Sequence, residues 1–320
     1  MCISFNKATA LGLQMPTPVT ADRDYTSCLI PHAFLVQTMR RLEVDCRLGY
    51  QINDTSEFVI QVQAAHHPWQ KIVSEQLQIC GIEPQAFTDS SGLNRLVRFT
   101  AFSGEIELCY RAVVEVDMPA PNRAAREYEI AELPSDVLHY LLPSRYCESD
   151  LMSAMARRTF GDWPRGWVRV QAICDWIHQH IAYEIGASQP TTTARDVLAN
   201  RAGVCRDFAH LGITLCRALN IPARFVFGHV EFPDPPPDFH ALFEAYVGGQ
   251  WMLFDPTKMV DLGKIVRIGT GVDATDVAFA TLYGEVQMTY MKPLVRDYIE
   301  GQSEQFAEIG CYIGENTLPR

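Results

Sequence analysis

The sequence predicts an α+β protein: an N-terminal antiparallel β-sandwich followed by a second domain that mixes helices with a sheet. Three observations carry this reading. Five runs of strand length follow one another from residue 42, separated by turn chemistry. Helix-period patterns take over after a proline-containing stretch, DMPAPNRAARE. Two further apolar runs of strand length then meet at Gly248-Gly249, a strong hairpin signal. A chain of 320 residues suits about two domains. The expected divisions are an extension over 1–40, a sandwich over 41–125, a second domain over 126–300 and a tail over 301–320.

Residues 1–40 are Thr/Pro-rich and then mildly helical, and they read as a loose extension. The strands that follow are LEVDCRLGYQI, SEFVIQVQAA, QKIVSEQLQI, RLVRFTAF and EIELCYRAVVEV, with turns at Asn53-Asp54, His67-Pro68 and Ser103-Gly104. Past the linker, Val170, Ile173, Cys174, Ile177 and Ile181 share one helical face. Thr191-Thr192-Thr193 offer N-caps for ARDVLANR. Phe208, Leu211, Leu215 and Leu219 recur at helix spacing, and Asn220 and Pro222 mark that helix's end. The segment EFPDPPPD, residues 231–238, reads as a stiff, extended groove wall just before His240.

Composition narrows the function. Apolar residues make up 48% and charged residues 20%, ordinary for a globular chain. A net charge of −11 argues against nucleic acid or an anionic membrane as partner. No stretch has the apolar length of a membrane span, and the N-terminus lacks a signal-peptide pattern. The 10 cysteines are scattered without a CxxC pair, so reduced thiols in a cytoplasmic protein are expected. No histidine or cysteine cluster has zinc spacing, and RIGTGVD lacks the lysine and the context of a phosphate loop. Neither a metal nor a cofactor is expected. Asp273 and Asp276, in and after that loop, are expected to line a cleft. His210 reads as a packing residue.

The chemistry concentrates in three residues. Cys205 lies in or just before the first turn of the helix that contains Phe208. Unpaired N–H groups and the helix dipole favour negative charge there, and a thiolate is the reactive form of cysteine. His240 begins the run DFHALFEAYV, and Asp255 ends QWMLFDPT. A two-residue turn pairs Val247 with Gln250, Tyr246 with Trp251, Glu244 with Leu253 and Leu242 with Asp255. His240 then sits opposite Thr257, and alternation puts His240, Leu242, Leu253 and Asp255 on one face. His240 and Asp255 become diagonal neighbours about 7–8 Å apart at the backbone, within side-chain reach. Taken singly, each has a bland explanation: a buried cysteine, a core histidine, an Asp-Pro turn. Those explanations leave unaccounted why histidine and carboxylate share a face beside a helix-start cysteine.

These residues carry a resemblance. GVCRDFAHL, ALNIPARFVFGHV, DFHALFEAYV and WMLFDPT resemble the core of the transglutaminase-like superfamily, with its papain-like arrangement of a helix-start cysteine against a sheet carrying histidine and aspartate. LPSRYCESD and RIGTGVDATDVAFATLYG resemble bacterial members in which a β-rich domain precedes that core. The resemblance runs from about Leu42 to about Met291. It implies a thiol enzyme with Cys205 as nucleophile, His240 as general base and Asp255 as the acid that orients the base. Nothing in the chain resembles the calcium-binding loops of animal transglutaminases.

Such a triad attacks an amide of a protein or peptide substrate and leaves a thioester. Water then gives hydrolysis; an amine gives transglutamination. A scaffold that binds without catalysis is a third reading. A transferase must exclude water, commonly with an apolar tunnel. Alternation turns Phe243 and Phe254 away from His240, and Trp251 lies near the turn. Hydrolysis, by a cysteine protease or amidase, is therefore the expected outcome.

Overall fold

The first strand, β1 (Arg40–Ile52), has Leu42, Val44, Cys46, Leu48, Tyr50 and Ile52 almost wholly buried, a period of two that turns one face to a core. Its neighbour β6 (Gly104–Val116) answers with Leu108, Tyr110, Ala112, Val114 and Val116. In the computed structural model, which describes residues 39–231 and 238–300, these two strands form the centre of a four-stranded antiparallel sheet. Its edges are β3 (Gln70–Ile79) and a strand from the far end of the chain. A second four-stranded sheet contains β2 (Ser56–Ile60), β4 (Gln85–Thr88) and β5 (Arg95–Ala101). Tyr50 of the first sheet meets Phe58 of the second edge-on at 5.5 Å, and Phe58 stacks on Phe99 at 4.7 Å. Fully burying an aliphatic or aromatic side chain contributes roughly 1.5–3 kcal/mol, so this inner face supplies much of the sandwich's stability. All five expected strands are present. β4 is an addition; its four residues are exposed and give no alternation to read.

The second domain opens with α1 (Ser149–Phe160) and α2 (Trp167–His180). Val170, Ile173, Cys174, Ile177 and Ile181 are all buried, as their spacing predicts. A two-residue strand, β7 (Ala182–Tyr183), pairs in parallel with β8 (Ala202–Gly203). Between them lies α3 (Ala194–Asn200), capped at Thr193 through Asp196. Next comes α4 (Cys205–Ala218), buried on every side from Asp207 to Ala218. It packs on an antiparallel sheet ordered β11-β10-β9-β12, built from β9 (Ala223–His229), β10 (Phe239–Val247), β11 (Gln250–Phe254) and β12 (Val266–Gly271). Gly212 permits the close approach: a Cβ there would fall 2.5 Å from the Phe243 ring.

The hairpin has the predicted register. Val247 faces Gln250, Tyr246 faces Trp251 and Glu244 faces Leu253. Gly248 (φ 64°) and Gly249 (φ 80°) both take the left-handed conformation that a type I′ turn demands. Phe243 and Phe254 stack at 5.6 Å inside the core, on the face away from Leu242 and Leu253.

Two expectations need correction. β13 (Ala280–Tyr283) pairs with β2 and β14 (Val286–Asp297) pairs with β1, so the end of the stretch assigned to the second domain completes the sandwich instead. Six described cysteines are free thiols, but Cys80 is disulfide-bonded, so the thiols are not uniformly reduced. The expectations for residues 1–38, for the proline run at 232–237 and for the tail at 301–320 lie outside the described residues. No helix among the described residues is long and apolar enough to cross a membrane.

Candidate active site

Cys205 is the first residue of α4. Val204 before it is extended (φ −112°, ψ −179°), and the Val204 N–H donates to Asp207 Oδ2 at 2.8 Å. This box fixes where the helix begins and therefore where its free N–H groups point. Cys205 is partly exposed, whereas the other five free cysteines are buried. Burial raises those thiols, Cys109 to about 11 and Cys147 to about 12, with Cys46, Cys174 and Cys216 also pushed up.

His240 and Asp255 are brought together as the register predicts. His240 Nε2 lies 3.3 Å from Asp255 Oδ2 and 3.3 Å from Thr257 Oγ1. Both triad side chains are almost wholly buried. Asp255 Oδ1 accepts from the Thr257 N–H at 2.9 Å and the Thr257 hydroxyl at 2.7 Å, and Oδ2 also accepts from the Met259 N–H at 3.2 Å. The Asp-Pro turn and the orienting carboxylate are thus one device. The turn's own N–H groups hold the carboxylate still while its remaining lone pair faces the imidazole.

Cys205 lies close enough to His240 to interact with its charge. Burial alone would lower the His240 pKa, but the hydrogen bond with Asp255 and the influence of Cys205 outweigh it and raise it to about 9. Burial pushes Asp255 up, yet the bond from His240 leaves it below the ordinary carboxylate value. A protonated imidazole between a thiol and a carboxylate is the charge arrangement a thiolate needs.

Two side chains at this site escape a reading of the sequence. Thr257 was placed opposite His240, but its bonds to both ring and carboxylate require the turn geometry. Tyr183 has no flag in the sequence beyond its place after α2. Burial together with the charge of Cys205 raises its pKa.

Other expected groups lie elsewhere. Asp273 is buried and accepts from the N–H groups of Tyr146 (3.0 Å) and Thr275 (2.8 Å), and Asp276 accepts from the Val272 N–H. Both staple the loop after β12 instead of lining a cleft, because short acidic turns consume their own carboxylates. His210 is a packing residue: Tyr146 stacks on it at 4.8 Å, its Nε2 accepts from the Ala274 N–H, and burial lowers it to about 3. No group of three or more His, Cys, Asp or Glu able to hold a metal ion is found among the described residues.

Comparison with known proteins agrees with this architecture. The family model of the transglutaminase-like superfamily matches residues 150–256, a span that contains Cys205, His240 and Asp255. A second, for the N-terminal domain of bacterial transglutaminase, matches residues 40–136. A crystal structure of a candidate cysteine protease from Cytophaga hutchinsonii superposes with a TM-score of 0.77 at 38% identity, over 81% of this chain and 91% of that one. An uncharacterized Mycobacterium leprae protein is 33% identical over 120 residues, 34% of this chain and 42% of its own length. One from Mycobacterium tuberculosis is 34% identical over 117 residues, 32% of this chain and 37% of its own. The chain therefore spans about two-fifths of the mycobacterial relatives it matches. With both family models placed in order along the chain, and a 38%-identical relative matched over 91% of its length, this protein belongs to the transglutaminase-like superfamily.

Proposed function

We propose that this protein is a thiol enzyme that cleaves an amide or peptide bond through a thioester on Cys205. The observation that carries the reading is the buried His240–Asp255 pair, 3.3 Å apart, within electrostatic reach of the helix-start Cys205. The Cys205 sulfur attacks the carbonyl carbon of a protein or peptide amide, forming a C–S bond and moving the carbonyl electron pair onto oxygen. As that pair returns, the C–N bond breaks and protonated His240 gives its proton to the leaving amine. Asp255 holds the ring in the tautomer and orientation both steps require. Water, deprotonated by His240, then attacks the thioester and releases the acid and the thiol.

Hydrolysis is favoured over transfer because the nucleophile is open to water and the aromatics near the triad also pack against other groups. Phe243 and Phe254 stack on each other, and Phe239 packs against Phe227, His229 and Phe279. Trp251 lies under Arg224 at 4.1 Å and against Tyr140 at 5.0 Å. Trp251 and Phe254 also line an apolar cavity that reaches Asp255, but Cys205 and Tyr183 are both partly exposed, so water can reach the thioester. The likeness to a candidate cysteine protease supports the same outcome. The test is product analysis on a glutaminyl peptide library with excess alkylamine present. Free acid is the expected main product; predominantly amine-adducted peptide would make this a transglutaminase.

A further inference from the structure

Every hydrogen-bonding position of the Thr257 hydroxyl is taken. After Asp255-Pro256 the chain turns tightly: Lys258 takes a left-handed φ of 57°, and the Met259 N–H comes back to lie 3.2 Å from both Asp255 Oδ2 and Thr257 Oγ1. His240 Nε2 lies between the same two oxygens, 3.3 Å from each. On the far side, the Thr257 hydroxyl is 2.7 Å from Asp255 Oδ1, and the Thr257 N–H is 2.9 Å from that oxygen. Thr257 and His240 are both buried, so these groups must satisfy one another.

A hydroxyl has one hydrogen to give and two lone pairs to accept with. An ionised carboxylate at 2.7 Å is a better acceptor than a ring nitrogen at 3.3 Å, so the hydrogen goes to Asp255. Oγ1 can then only accept from the ring, and Nε2 must carry a hydrogen to meet either oxygen. We propose that Thr257 is a positioning residue whose hydroxyl, spent as a donor on Asp255, holds His240 in the Nε2–H tautomer. This rests on the acylation reading above and adds to it an uncharged group that fixes the base. The Nε2 hydrogen is forked between Oδ2 and Oγ1, so the ring cannot swing toward one acceptor without losing the other. Proton exchange during the reaction then falls to Nδ1. The titratable groups that act on His240 are Asp255, Cys205 and Asp238 just before β10, and all three remain when the Thr257 hydroxyl is removed.

Two measurements separate this role from packing. In the first, the ring nitrogen-15 shifts of His240 are followed in the full-length protein as pH rises through the His240 transition near 9. Wild type is expected to keep the Nε2 hydrogen throughout while Nδ1 loses its own, and Thr257→Val to give a neutral ring divided between both tautomers. In the second, steady-state hydrolysis of p-nitrophenyl acetate is compared. Thr257→Val is expected to lose about 10-fold in kcat with KM unchanged, and Thr257→Ser, which keeps the hydroxyl without the methyl, to retain most of the wild-type rate. An Nδ1–H tautomer in wild type overturns the proposal whether or not any variant folds. Thr257→Val with wild-type kcat or an undivided Nε2–H tautomer overturns it too. So does Thr257→Ser as slow as Thr257→Val, which would assign the effect to the methyl. A wild type with the Nε2–H tautomer but no acyl group on Cys205 would overturn the acylation reading, and with it the catalytic role of Thr257.

Discussion

Four donors converge on the two oxygens of Asp255: the Thr257 N–H, the Thr257 hydroxyl, the Met259 N–H and His240 Nε2. Asparagine offers only one acceptor oxygen, so Asp255→Asn leaves some of these donors without an acceptor and the imidazolium without its anion. The expected effect is a loss of about 10²- to 10⁴-fold in kcat with a folded protein, measured by steady-state turnover beside circular dichroism. The pH dependence follows from His240. Its folded pKa is raised from 6.5 to about 9, so its contribution to stability is complete below about pH 6.5 and is lost as pH rises through about 9. The same proton is the one given to the leaving amine, so kcat/KM is expected to fall across the same upper limb. A pH–rate profile flat through pH 10 would show that this imidazolium is not the acid. The triad was legible because Gly248-Gly249 fixes a register and the register fixes which side chains meet. Tyr183 was not: a two-residue strand has no period, and its partner Gly203 is 20 residues away in the chain.

At the scale of elements, β10 carries a second buried charge system that alternation does not disclose. Glu244 is wholly buried and accepts from Arg224 of β9 at 2.7 Å and Arg267 of β12 at 2.5 Å. Burial pushes its carboxyl up, but the two guanidinium groups prevail and hold it at about 2. Arg224 and Arg267 also cover the rings of Trp251 and Trp69. Three strands are thereby pinned in register around one carboxylate, and β10 is the strand that carries His240. Breaking a buried pair leaves uncompensated charge, so Glu244→Gln should cost about 3–5 kcal/mol in urea denaturation at neutral pH. A depressed carboxyl contributes stability above its ordinary 4.5 and loses it as pH falls through about 2, so the gap between variant and wild type should close in acid. An unchanged midpoint at pH 7 would remove the network from the account of the sheet. The sequence shows Glu244 only as a residue opposite Leu253, because its partners come from strands 20 and 23 residues away.

Across the whole molecule, the chain leaves the sandwich, builds the thiol domain and returns, with β13 and β14 closing sheets begun by β2 and β1. That return was hidden because VQMTYMKPLVRD is mostly exposed and carries a proline, so its pattern lacks the alternation of a core strand. The sandwich and the α+β class were legible for the opposite reason: β1 and β6 each send an alternate set of side chains, Leu42 to Ile52 and Leu108 to Val116, into the core. The central claim is that this architecture serves one covalent step at Cys205. It is tested most directly by rapid acid quench of the enzyme turning over p-nitrophenyl acetate, followed by peptide mapping in a mass spectrometer. The account predicts one acetyl group, on the peptide containing Cys205, present in wild type and greatly reduced in His240→Ala. Acetylation of a different residue, or turnover with Cys205 unmodified, would contradict it.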